Sequence, residues 1–163
     1  VQSRIFAYEK EHGRSYHVYH AGKYMVPIDE GEQEGMDIHY HALRLSIGNK
    51  LFHAPIGAPT AMMDVGTGTG IWAMDVADEC PEAAVIGFDL SPIQPTFVPP
   101  NLQFEVLDAD EPWGYCENRF TLVHTRFMNL FSLKSWPQFY QYALEYLKPA
   151  GGGWRIRSSI VRS

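Results

Sequence analysis

The sequence predicts an α/β fold: a parallel sheet with helical crossovers, preceded by an amino-terminal helical cap. Three observations carry this expectation. Residues 60–65 form a short apolar run with its only charge, Asp64, at the carboxyl end, and Gly66, Gly68 and Gly70 follow at alternate positions. A second apolar run over 85–89 also ends in an acid, Asp89, nineteen positions after Gly70. Downstream, apolar extended segments alternate with segments of helical period, the pattern of a parallel sheet with right-handed crossovers.

Taken in order, residues 1–12 are expected to form a short helix stopped by Gly13. Residues 14–20 are aromatic and polar without clear period, and 21–28 read as an extended loop. Asp29, with Glu32 three residues later, is a capping-box signature. Met36, Tyr40, Leu43 and Ile47 then make one stripe of an amphipathic helix that Gly48 ends. Pro55, Gly57 and Pro59 mark a boundary, so the expected organisation is a cap over 1–57 and a ligand-binding domain over 58–163.

In the second part, residues 71–79 form a crossover helix ended by Pro81, and 84–89 a strand. The prolines at 92, 95, 99 and 100 keep the next segment irregular. A third strand runs over 102–107 into Asp108-Ala109-Asp110, and a fourth over 120–124. Ser135 caps a helix with Pro137 in its first turn and Phe139, Ala143 and Tyr146 on its apolar face, ended by Lys148-Pro149. In residues 154–161, Arg155 and Arg157 share one strand face. An interior parallel strand is apolar on both faces, so this reads as a charged edge strand.

Composition narrows the function. With 45% hydrophobic and 20% charged residues, 163 residues suffice for a real core. A net charge of −6 offers no basic surplus for phosphates, so no direct nucleic-acid partner is expected. No apolar run approaches a membrane span of about 20 residues, and there is no signal-peptide pattern. Cys80 and Cys116 suggest free thiols in a reducing compartment, cytoplasm or nucleus. His39 and His41 do not share a helix face, and His17 and His20 have no ligand-spaced companion, so no metal site is expected.

The glycine spacing and the two acids narrow the ligand. The run is G-x-G-x-G, not the G-x-G-x-x-G of dinucleotide sites. A pyrophosphate beside Asp64 would be repelled, whereas a cation gains. S-adenosyl-L-methionine, with a sulfonium and an ammonium and no phosphate, fits that charge. Asp89 stands where an acid accepts from ribose hydroxyls. Asp108 suits the exocyclic amine of adenine and the backbone N–H of Ala109 its ring nitrogen; the alternative is a solvated turn. His124 and Arg126, at the end of the fourth strand, are candidates for a base and for an acidic-substrate contact. The alternative for His124 is a packed strand-end residue.

These residues resemble a known family. Residues 64–73, Asp-Val-Gly-Thr-Gly-Thr-Gly-Ile-Trp-Ala, are similar to the glycine motif of class I S-adenosylmethionine-dependent methyltransferases, whose sheet is Rossmann-like. Residues 11–17, 24–33, 85–95, 98–101 and 147–149 extend the resemblance to the fungal LaeA-like group, regulators and tailoring enzymes of secondary metabolism. The resemblance implies that Asp64, Gly66, Gly68 and the adjoining Gly70 hold the methionine end of the cofactor, Asp89 the ribose, and Asp108 and Ala109 the adenine. Arg14 and Tyr16 are expected to close over it from the cap, Arg14 meeting its carboxylate; alternatively Arg14 only ties the cap to the core. The implied partner is a small-molecule or protein methyl acceptor, with a regulatory protein partner and no membrane. After Lys148-Pro149 the family continues into further strands, so the expected sheet is incomplete, about five strands. The implied activity is methyl transfer, with a catalytically impaired interaction module as the alternative and a nucleotide-dependent oxidoreductase disfavoured by Asp64.

Overall fold

A computed structural model describes residues 7–17, 27–128 and 133–149. The expected strand after residue 153 lies outside these. Among the described residues nine elements follow in order: β1 (Tyr8–Glu11), β2 (Arg14–His17), α1 (Glu30–Ser46), β3 (Ala61–Val65), α2 (Ile71–Glu79), β4 (Ala84–Asp89), β5 (Leu102–Val106), β6 (Leu122–Thr125) and α3 (Trp136–Tyr146).

The first element corrects the sequence reading. Tyr8–Glu11 is not helical; it pairs antiparallel with β2, Glu11 opposite Arg14. The two residues between, His12 and Gly13, have φ of +48° and +81°. A two-residue hairpin turn with positive φ at both central positions is the tight connection that matches strand twist. Gly13 therefore turns a hairpin rather than ending a helix. Among the described residues, the cap is a hairpin plus one helix.

The helix α1 starts as its capping box predicts. Asp29 is the N-cap, and its Oδ1 accepts from the Glu32 backbone N–H at 3.1 Å. Of the predicted stripe, Tyr40 is fully buried, and Gly48 follows the helix at φ +70°. The α3 start is also capped as expected, with the Ser135 side chain accepting from Gln138 N–H. Its predicted apolar face, Phe139, Ala143 and Tyr146, is the buried one.

The main sheet is four parallel strands in the order β5-β4-β3-β6. It is α/β and Rossmann-like. The chain leaves β3, adds β4 and then β5 on one side, and returns to place β6 on the other. Strand order reverses beside β3, and in open α/β sheets ligands bind at such a switch point, outside the carboxyl ends of the strands. The β6 strand runs Leu122–Thr125, slightly later than expected, while Phe120 makes only a single parallel bridge to Leu147.

Alternation in β3 divides the core. Met62 packs with Tyr40, Trp72, Val76, Val85 and Leu122 on the face covered by α1 and α2. Met63 and Val65 pack with Phe88, Trp113, Phe120, Phe139 and Tyr146 on the α3 face. Every residue of β3 is buried, as expected of an interior parallel strand.

The carboxyl end of α2 is closed by a side chain from the segment before β5. The amide nitrogen of Asn101 lies 3.0 Å from the carbonyl of Ala77, 3.2 Å from that of Cys80 and 2.9 Å from that of Ala83. Helix ends leave carbonyls unpaired, and an unpaired buried carbonyl costs about 1–3 kcal/mol. Asn101→Ala is expected to lower unfolding free energy by about 2 kcal/mol, read as a shifted urea midpoint at unchanged slope.

Candidate functional site

The register brings four strand ends to one edge. Asp64 is level with Gly87 of β4 and His124 of β6, and Asp89 is level with Val106 of β5. The sequence-predicted Asp64, Asp89, Asp108 and His124 therefore stand along one carboxyl edge, with the glycine loop in the middle.

The loop has the backbone its glycines allow. Gly66, Gly68 and Gly70 have φ of +68°, +60° and +83°, the left-handed region that glycine enters without strain. The N–H groups of Gly66 and Thr67 both donate to the Phe88 carbonyl, at 2.9 and 3.0 Å. The Gly68 N–H donates to Asp89 Oδ2 at 2.9 Å, and the Ser91 N–H to Asp89 Oδ1 at 3.0 Å. Burial pushes the Asp89 carboxyl above its ordinary range, and the N–H groups of Ser91, Gly68 and Leu90 offset that rise only in part.

Space around the loop is tightly assigned. A Cβ on Gly70 would lie 2.4 Å from Phe104 Cζ, and one on Gly87 2.7 Å from Phe104 Cε1. The ring of Phe104 therefore lies over two glycines. A glycine inside a strand signals such a close approach, so Gly87 held the clue to Phe104. A Cβ on Gly66 would lie 2.3 Å from the Met128 sulfur, whereas one on Gly68 meets only the Met36 sulfur, at 3.5 Å.

Asp64 is buried and bonded on both oxygens. Thr67 Oγ1 donates to its Oδ2 at 2.7 Å, and His124 Nδ1 lies 2.7 Å from its Oδ1. The His124 ring stacks on Trp72, centroids 3.7 Å apart and nearly parallel. Trp72 in turn donates its indole N–H to the Leu51 carbonyl at 2.9 Å. His124 is thus a packed, bonded partner of Asp64, which supports a positioning role over that of a base. It also lines a small cleft with Tyr40, Leu43, Trp72, Thr125 and Arg126. Arg126 is half-buried, its guanidinium 4.7 Å from the centre of the Tyr40 ring.

Asp108 and Ala109 are buried. Asp108 Oδ1 accepts the Asp110 N–H at 2.9 Å, so Asp108, two residues past the end of β5, opens a turn. Arg14 goes elsewhere: it donates to Asp29 Oδ1 and Glu32 Oε2, both at 3.1 Å, and ties β2 to the start of α1. Both partners lie within the cap, so Arg14 ties the hairpin to α1 rather than the cap to the core. Tyr16 is half-buried on β2, opposite Glu9.

Sequence reasoning missed several residues that shape the edge. Gln94 donates to the Gly68 carbonyl at 2.6 Å and to Ser91 O at 2.9 Å, pinning the loop from beyond β4. Thr69 Oγ1 donates to Asp37 Oδ1 of α1 at 2.6 Å. Tyr40 and Arg44 of α1 both donate to Asp75 of α2. Burial beside Asp75 pushes the Tyr40 phenol up. Gln94 lies in the 85–95 segment that carries part of the resemblance; the α1 contacts leave no local signal.

Comparison with known proteins agrees with this geometry. The methyltransferase domain family matches residues 62–151. The chain is 40% identical over 156 residues to methyltransferase pytC of Aspergillus terreus, covering 94% of this chain and 47% of that protein. It is 43% identical over 149 residues to secondary metabolism regulator LAE1 of Cochliobolus heterostrophus, covering 88% and 48%. The chain thus spans about half the length of these curated relatives. A solved chain from the complex of the Haloferax volcanii Trm112 methyltransferase activator with a methyltransferase superposes with a TM-score of 0.60 at 21% identity, covering 77% of this chain and 55% of that one. That likeness is one of fold. The parallel sheet, the glycine loop between two acid-tipped strands and the family match agree: this chain belongs to the methyltransferase domain family, in its class I, Rossmann-like form, whose cofactor is S-adenosyl-L-methionine.

Proposed function

We propose that this chain binds S-adenosyl-L-methionine at the carboxyl edge of β3, β4 and β5 and is the cofactor-binding core of a methyltransferase of fungal secondary metabolism. The observation that carries the reading is the pair of carboxylates, Asp64 and Asp89, at adjacent strand ends, joined by a left-handed glycine loop whose Gly68 N–H already donates to Asp89. The donor set fits the cofactor. It is acidic and rich in acceptors, suiting hydroxyls and positive charge and opposing a pyrophosphate. Space for a Cβ at Gly68, against blocked positions at Gly66 and Gly70, supports close approach of a ligand at the middle glycine.

In this reading Asp89 takes the ribose hydroxyls, Asp108 and the Ala109 backbone flank the adenine, and Asp64 with Gly66, Gly68 and Gly70 faces the methionine end. When bound, the cofactor supplies a methyl group activated on a sulfonium. Thr67 and His124 fix the Asp64 carboxylate, so that its field points at the cofactor without rearrangement, as preorganised electrostatics require. Much of the acceleration in such a displacement comes from holding the two partners in line. The acceptor is a small molecule or a protein. The relatives, a methyltransferase and a regulator of secondary metabolism, support that setting and a regulatory protein partner. The cap, residues 1–57, closes over the loop through Asp37 and Met36. Among the described residues no helix is long and apolar enough to cross a membrane.

Three outcomes follow. Asp89→Ala removes charge-assisted hydrogen bonds worth about 1.5–3 kcal/mol each, so affinity for S-adenosyl-L-methionine is expected to fall at least about tenfold by titration calorimetry. Unchanged affinity rejects the ribose assignment. Gly68→Val places a β-branched residue at φ +60° and is expected to abolish binding; normal binding would make the loop a mere connector. His124→Ala leaves one oxygen of a buried carboxylate unpaired and unstacks Trp72, and is expected to cost about 1–3 kcal/mol by chemical denaturation. A stability unchanged from the parent would contradict the packed role.

A further inference from the structure

The methionine end of the proposed cofactor carries a carboxylate as well as an ammonium, and the edge described above answers only the ammonium. A carboxylate entering a half-buried site needs a cation, or it loses its hydration without replacement. Arg14, the cation expected from the sequence, is bonded to Asp29 and Glu32. Arg44 is held by Asp75 and Glu79 of α2. Lys148 donates to Thr60 Oγ1, before the start of β3 at the opposite end of the sheet.

Arg126 differs from these. It follows Thr125, which is level with Val65, so it stands beside Gly66 at the entry to the glycine loop. Among the described residues its guanidinium has ring contacts only: Tyr40 at 4.7 Å and Phe127 at 5.5 Å. Ring contacts engage the guanidinium through its charge and its face, and the in-plane N–H fork stays open for a carboxylate. Arg126 lines a cleft with His124 and Thr125, which Arg44, already held by its carboxylates, and Lys50 also line. Burial presses the Arg126 charge down, and Asp64 and Asp37 are the carboxylates that act to hold it. An acid and an arginine with no carboxylate bonded to it among the described residues, at one corner, suit a zwitterion.

The next residue sets this orientation. Phe127 has φ +56°, the left-handed region, which a bulky residue enters only under constraint. The reversal lets consecutive side chains diverge: Arg126 onto Tyr40, Phe127 outward toward His39, and Met128 onto Gly66.

We propose that Arg126 is the carboxylate-binding residue for the methionine moiety of the cofactor, paired with Asp64 on the ammonium, and not an acceptor contact. This rests on the cofactor reading above. It replaces Arg14 in that role and leaves Arg14 as the tie within the cap.

The test titrates the 163-residue chain with S-adenosyl-L-methionine and with its decarboxylated form, for the parent, Arg126→Met and Arg126→Lys. The parent is expected to bind the carboxylate-bearing ligand at least about tenfold more tightly. Arg126→Met is expected to lose about that factor for S-adenosyl-L-methionine and to leave the decarboxylated ligand within about twofold, with Arg126→Lys between. Equal affinity of the parent for the two ligands overturns the assignment without reference to any variant. So does an Arg126→Met protein that binds S-adenosyl-L-methionine as the parent does, or one that weakens both ligands alike. In each case the cofactor reading stands. A parent that binds neither ligand overturns the cofactor reading and this assignment with it.

Discussion

The carboxylate of Asp89 is the constraint on which the functional edge depends. It ends β4, and its two oxygens accept the N–H groups of Gly68 and Ser91. One side chain thereby fixes the loop after β3 and the turn after β4. Gln94 closes the circuit by donating back to the Gly68 carbonyl. Ionising a carboxyl in so enclosed a place is costly, and the converging N–H groups offset part of that cost. The loop is therefore formed by the protein itself, which spares a ligand the entropy of ordering it.

A second carboxylate extends the same logic to the rest of the molecule. Asp64 joins Thr67 in the loop to His124 on β6, His124 stacks on Trp72, and Trp72 is bonded to the Leu51 carbonyl in the segment after α1. Helix α1 returns to the loop through Asp37 and Thr69, and to α2 through Tyr40, Arg44 and Asp75. Cap and sheet are thus linked through polar contacts at the edge where the ligand is proposed to bind.

Much of this edge was legible in the sequence, because its signals are local. An acid after an apolar strand, glycines at alternate positions and an acid at the next strand end specify backbone and charge together. The helix starts at Asp29 and Ser135 were equally local and came out as expected. The amino-terminal hairpin was misread because a glycine after a polar residue serves both a helix stop and a tight hairpin turn. Only pairing with Arg14–His17 decides between them. Sequence leaves Arg14 open between a ligand contact and a structural tie, because its carboxylate partners, Asp29 and Glu32, are fifteen and eighteen residues away. Phe104 over Gly70 and Gly87, and Arg126 on Tyr40, depend on strand register and helix packing. Sequence spacing does not record those.

The central claim is that Asp89 and the loop it holds form the nucleoside seat of the cofactor. A crystal structure of this chain with S-adenosyl-L-homocysteine tests it most directly. The account predicts ribose hydroxyls on Asp89, with the Gly66–Gly68–Gly70 backbone keeping the left-handed conformations described here. Ligand bound away from Asp89, or a loop rebuilt around it with the Gly68 to Asp89 bond broken, would contradict it.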